Sequence, residues 1–104
     1  MSAVKDTGLS RELLEQIVGF ILRFGKPKRI ILFGSRARGD FSPASDIDLA
    51  LEGLEEVSLL KELLDEQVDT LLKFDVVDLN RIPKELREEI EREGIVLYEE
   101  EEKI

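Results

Sequence analysis

The segment Arg29-Ile30-Ile31-Leu32-Phe33-Gly34-Ser35-Arg36-Ala37-Arg38-Gly39-Asp40, followed shortly by Ser45-Asp46-Ile47-Asp48-Leu49, decides how this chain reads. Arg29 to Phe33 is a short apolar run with β-branched residues, which predicts a buried strand. Gly34 follows at once, where the backbone can turn sharply and where a ligand can approach without meeting a Cβ. Ser35 adds a hydroxyl and a backbone N–H. A helix starting here would aim its free amides at the same spot, as a phosphate requires. Arg36 and Arg38 place permanent charge beside it. Gly34 to Ser45 then reads as a turn, one or two helical turns, and a loop through Ser42-Pro43. From Ile47 to Leu51 the pattern alternates, with Ile47, Leu49 and Leu51 on one face and Asp46, Asp48 and Ala50 on the other. Two carboxylates at this spacing stand roughly 6–7 Å apart at Cα, close enough to hold a pair of cations.

Working outward, Ser10 predicts the N-cap of a helix through about Phe24, with Leu13, Leu14, Ile17, Val18, Ile21 and Leu22 at helical spacing; Gly25 and Pro27 end it. Gly53 to Val57 is a connection. Ser58 is expected to cap a second helix reaching about Lys73, its apolar face including Leu64, Val68, Leu71 and Leu72. Phe74 to Leu79 reads as a third strand. Pro83 suits the first position of a third helix ending near Glu93, with Gly94 as its C′ residue. Ile95 to Tyr98 is a last strand, and Glu99 onward an acidic, frayed tail. The order predicts an α/β (α+β) fold: one small mixed β-sheet with helices packed mainly on one face, residues 1–104 forming a single domain.

Composition narrows the chemistry. The chain has 104 residues, no His and no Cys, and a net charge of −9. Disulfides, thiolate nucleophiles, zinc ribbons and Ser-His-Asp triads are therefore excluded. What remains is carboxylates, hydroxyls, Lys and Arg, with any metal a hard, oxygen-liganded one such as Mg²⁺. From Arg23 to Arg38 there are six basic residues and no acid, whereas Lys84 to Lys103 holds nine Glu against four Lys or Arg. An acidic chain that keeps one basic segment can reserve it for an anion. No apolar run approaches the roughly 20 residues of a membrane span, and Met1 to Ser10 lacks a signal-peptide core. A cytoplasmic protein with no membrane partner is expected.

Anion-binding and cation-binding parts thus lie one loop apart, and a nucleoside triphosphate needs both. Gly34-Ser35-Arg36-Ala37-Arg38-Gly39, five residues and a Ser, then Asp46-Ile47-Asp48-Leu49, resembles the signature of the minimal nucleotidyltransferases, the smallest members of the DNA polymerase β-like superfamily. The element order is similar over essentially the whole chain. The resemblance implies a polymerase β-like fold and a third carboxylate on a neighbouring strand. Asp75 and Asp78 are both candidates, and periodicity does not choose between them. The family's Asp-apolar-apolar-Asp-apolar pattern favours Asp75.

The same resemblance implies Mg²⁺-dependent transfer of a nucleoside monophosphate, AMP from ATP, to a hydroxyl. Asp46, Asp48 and Asp75 would be the catalytic and metal-binding residues for two Mg²⁺ ions. Gly34, Ser35, Arg36 and Arg38 would bind the nucleotide. It further implies a separately encoded helical partner of the HEPN type, with this chain as the antitoxin that adenylylates a tyrosine of its toxin partner. A stand-alone transferase acting on a small molecule or an RNA end is the alternative, as is a non-catalytic partner-binding module. The net charge argues against an extended nucleic-acid footprint. Tyr98, beside the last strand, is read as packing.

Overall fold

The structure, a computed structural model, describes residues 6–101. Ser10 opens α1 (Arg11–Phe24), its hydroxyl accepting from the Leu13 amide at 3.1 Å, the side-chain cap that the first turn's free amides need. Then follow β1 (Arg29–Phe33), α2 (Gly34–Arg38), β2 (Ile47–Glu52), α3 (Val57–Gln67), β3 (Phe74–Asp78), α4 (Lys84–Glu93) and β4 (Ile95–Glu99). The four strands form one mixed sheet in the order β3-β2-β1-β4. β1 is antiparallel to both β2 and β4, while β2 and β3 are parallel, joined by the α3 crossover that such a pair requires.

Alternation along β2 sorts the side chains as the sequence predicts. Ile47, Leu49 and Leu51 join Ile30 and Leu32 of β1 on the face covered by α1 and α3, where Ile17, Ile21, Leu60 and Leu64 are fully buried. Ala50 and Ile31 face the other way, onto Leu79 and onto Ile90 of α4. Arg29 pins α4 from the sheet: its guanidinium meets Glu52 at 2.6 Å and forks onto both oxygens of Glu91 at 2.7 and 2.9 Å. A bidentate fork of this kind is the strong form of an ion pair.

Four expectations need correction. Ser58 does not cap α3. The helix starts two residues earlier than that cap would place it, at Val57, after Glu56 in a left-handed conformation (φ 57°), with no side-chain cap. Nor does α3 reach Lys73. It ends at Gln67, where Val68 turns extended, and the chain then folds back through a Thr70 turn; the Asp65 carboxylate accepts from the Phe74 amide at 2.8 Å to lead into β3. Leu71, assigned to the apolar face, is consequently fully exposed. Gly94 is extended and not left-handed; a Cβ there would press on Ile31 and on the Ile90 carbonyl, so close packing accounts for this glycine. Glu99 is not tail: it pairs with Arg29 in β4, and the Glu100 amide donates to the Lys28 carbonyl at 2.8 Å. The rest of the expected tail from residue 102 onward lies outside the described residues.

The early end of α3 is testable. Leu64→Ala should cost about 2–5 kcal/mol of stability in urea unfolding. Leu71→Ala should stay within about 0.5 kcal/mol of the parent. Comparable losses would return Leu71 to the core.

Candidate active site

The sheet's register brings the predicted residues to one end. Phe33, the last residue of β1, lies opposite Asp48, so the turn leaving β1 and the start of β2 meet there. On the other side of β2, Asp48 lies opposite Asp75 of β3. Partners across a ladder project to the same face. Asp48 and Asp75 therefore stand side by side, with Asp46 just ahead of β2. Asp78 pairs instead with Leu51 at the far end of β3 and does not join this group.

Gly34 makes the approach possible. It opens α2 with φ 75°, a left-handed conformation that favours glycine, and a Cβ at this position would run into the Asp48 carboxylate. Backbone and carboxylate are in direct proximity, so the first amides of α2 and the acid cluster border one space. Ser35 is half-buried beside it, and its carbonyl accepts from the Gly39 and Asp40 amides at 2.8 and 3.1 Å, closing the short helix.

The two arginines part company. Arg38 is exposed and lies near Asp40, 3.4 Å from its carboxylate. Arg36 is buried, 1% exposed, and donates to the backbone carbonyls of Thr7, Pro43 and Ser45. Sequence reading missed Lys61 on α3, which donates to Asp65 at 2.8 Å. That bond holds its ammonium above the usual lysine range, and the charges of Asp75 and Asp46 add to the effect. Only the register of α3 against β3 could have revealed it.

Charge concentrates on Asp48. Burial, then the neighbouring Asp75 and Asp46, push its pKa up to about 6, against the pull of Arg38 and Arg36. Carboxylates crowded in this way call for a cation. The donors are all carboxylate oxygens, which suits Mg²⁺. Among the described residues no three acidic side chains are grouped closely enough to hold an ion by themselves. Magnesium does not require that, since water and substrate phosphates complete its shell. A recess of about 960 Å³ between α1 and β4 is elsewhere and is lined by none of these acids.

The family described as polymerase beta, nucleotidyltransferase matches residues 15–103. The chain belongs to that family. A Methanocaldococcus jannaschii protein assigned as a protein adenylyltransferase is 43% identical over 53 residues, covering 51% of this chain. The chain thus spans about half the length of this curated relative. Among solved structures, one assigned as a minimal nucleotidyltransferase superposes with a TM-score of 0.66 at 28% identity, covering 90% of this chain and 98% of that one. A chain of a toxin–antitoxin complex with AMP-PNP gives 0.66 at 29% identity, covering 83% and 73%. A chain of the Shewanella oneidensis complex between a tri-AMPylated HEPN toxin and an MNT antitoxin gives 0.63 at 26%, covering 88% and 74%. These likenesses place the nucleotidyltransferase fold of this chain among the minimal nucleotidyltransferases.

The crowding at Asp48 has a stability signature. Between about pH 4 and 6 the folded protein retains a proton that the unfolded chain has released, so stability from this group falls as pH rises through that window. Without metal, Asp48→Asn should melt at a higher temperature than the parent at pH 7.5, the difference shrinking toward pH 4. Added Mg²⁺ should raise the parent's Tm at pH 7.5 and move the variant's much less. A variant less stable than the parent at pH 7.5 would contradict the assignment.

Proposed function

We propose that this nucleotidyltransferase moves AMP from ATP to a hydroxyl, using Mg²⁺ held by Asp46, Asp48 and Asp75. The observation that carries the reading is the register that sets Asp75 beside Asp48, with the Gly34 backbone against the same carboxylate. Two Mg²⁺ ions would supply charge neutralisation at the phosphates and a lowered pKa for the attacking hydroxyl. The protein's own part is positioning. Asp46 and Asp48 would hold the ions, and the amides of Gly34 and Ser35 donate to the terminal phosphate oxygens of the triphosphate. Arg38, exposed at the rim, adds positive charge there. Asp75 sits nearest the incoming hydroxyl and accepts its proton as the new ester forms; pyrophosphate leaves on the opposite side.

The proposed acceptor is a tyrosine of a separately encoded HEPN-type toxin, with this chain acting in the cytoplasm as its antitoxin. Support comes from the structural likeness to a chain of the complex that holds a tri-AMPylated HEPN toxin. No helix among the described residues is long and apolar enough to cross a membrane.

Incubating the protein with a candidate HEPN partner, ATP and Mg²⁺ should give the partner an AMP mass increment that maps to tyrosine and disappears with EDTA. Asp48→Asn should abolish the increment while keeping the circular dichroism of the parent. Tight binding without any increment would point to a non-catalytic module. An increment on an RNA end or a small molecule, with none on protein, would favour the stand-alone transferase.

A further inference from the structure

Among the described residues Arg36 is the largest fully buried side chain, and its hydrogen bonds run to backbone carbonyls and to no carboxylate. Its guanidinium is ringed by backbone. Nε donates to the Ser45 carbonyl at 3.0 Å, Nη2 to Pro43 at 3.2 Å and Nη1 to Thr7 at 2.9 Å, while the Phe41 ring lies 5.0 Å from Cζ. These partners come from two separate stretches: the loop between α2 and β2, and the segment ahead of α1. Burying a guanidinium is costly unless its donors are met, and such a residue rigidifies whatever meets them.

The loop itself contributes little to its own order. Its own bonds tie only Ser42 to Ser45 among the described residues: the Ser42 amide donates to the Ser45 hydroxyl at 2.9 Å, the Ser45 amide donates to the Ser42 carbonyl at 3.0 Å, and the two hydroxyls lie 3.3 Å apart. The segment ahead of α1 is shaped to reach Arg36. Asp6 accepts from the Gly8 amide at 2.9 Å, and a Cβ on Gly8 would strike both Phe41 and the Arg36 guanidinium. One side chain thus gathers two strands of backbone around itself.

Ser45 is the residue immediately before Asp46. Arg36 is the residue immediately after Ser35. We propose that Arg36 is a positioning residue, fixing Asp46 at a set distance from Asp48 and the Gly34-Ser35 turn by holding the loop that carries it. At 1% exposure its guanidinium has no surface left for a phosphate, which corrects the nucleotide-binding role expected of this side chain. The inference rests on the metal-binding reading of Asp46 but not on AMP transfer. Lysine keeps the charge yet cannot span three carbonyls that approach a planar fork from different directions.

Two variants test it: Arg36→Lys, and Phe41→Ala, which loosens the loop without leaving a charge unpaired. The first readout is Mn²⁺ binding with AMP-PNP present, followed by the paramagnetic resonance of the free ion. The second is hydrogen exchange of the amides from 40 to 46 in metal-free protein. Each variant should hold Mn²⁺ about tenfold more weakly, the loss usual when a ligand's supporting residue is removed. Loop amides should exchange faster, while those of α1 keep the parent's protection. In the transfer assay, kcat should recover at high metal concentration, with the KM for ATP nearly unchanged. Should Arg36→Lys fail to fold, Phe41→Ala decides the matter alone. Folded variants that bind Mn²⁺ as tightly as the parent would overturn the proposal, as would a parent that binds none. Weakened Mn²⁺ binding in the variants, with a parent that binds Mn²⁺ but transfers no AMP, would instead refute the proposed activity and leave the positioning role standing.

Discussion

Asp48 sits half-buried at the start of an inner strand with two other carboxylates for neighbours, and much of the surrounding architecture answers that repulsion. A carboxylate in this position is tolerated because Gly34 leaves it room, and because the basic turn that follows β1 offsets part of its charge. The parallel pairing of β2 with β3 cannot be relaxed without moving Asp75 away, and the α3 crossover enforces that pairing. An apolar residue at position 48 would pack more comfortably. The cost in stability is what one expects where a protein holds like charges ready for a cation.

The sheet was legible because its signals are local. Arg29 to Phe33 carries a short apolar, β-branched run, Ile47 to Leu51 carries strand alternation, and Ser10 announces α1 directly. The end of α3 was not legible, because the Val68, Leu71 and Leu72 spacing continues a helical pattern that the Asp65–Phe74 hydrogen bond interrupts. That bond spans nine residues and leaves no trace in a periodicity. The choice between Asp75 and Asp78 has the same origin. Side-chain alternation separates their faces, but only the register with β2 says which face matters.

The basic segment shows a different limit. Its charge is real, yet the sequence treats six cations alike. In the fold, Arg29 binds Glu52 and Glu91, Arg36 is enclosed by carbonyls, and Arg38 alone of these three arginines is exposed beside the turn. Burial distinguishes them, and burial of a charged residue depends on partners as remote as Thr7. Composition can identify an anion-seeking segment; it cannot say which of its charges are already engaged in structure.

β3 is the outermost strand on its side of the sheet, and Asp75 is exposed upon it. The acid cluster is consequently open along one flank. A reaction centre sunk in a deep pocket admits only molecules small or slender enough to enter. One laid along the border of a sheet can be reached by a residue that never leaves the surface of another folded protein. An acceptor that is itself a folded protein would need neither to unfold, nor to extend a long arm, nor to be cut free to meet it.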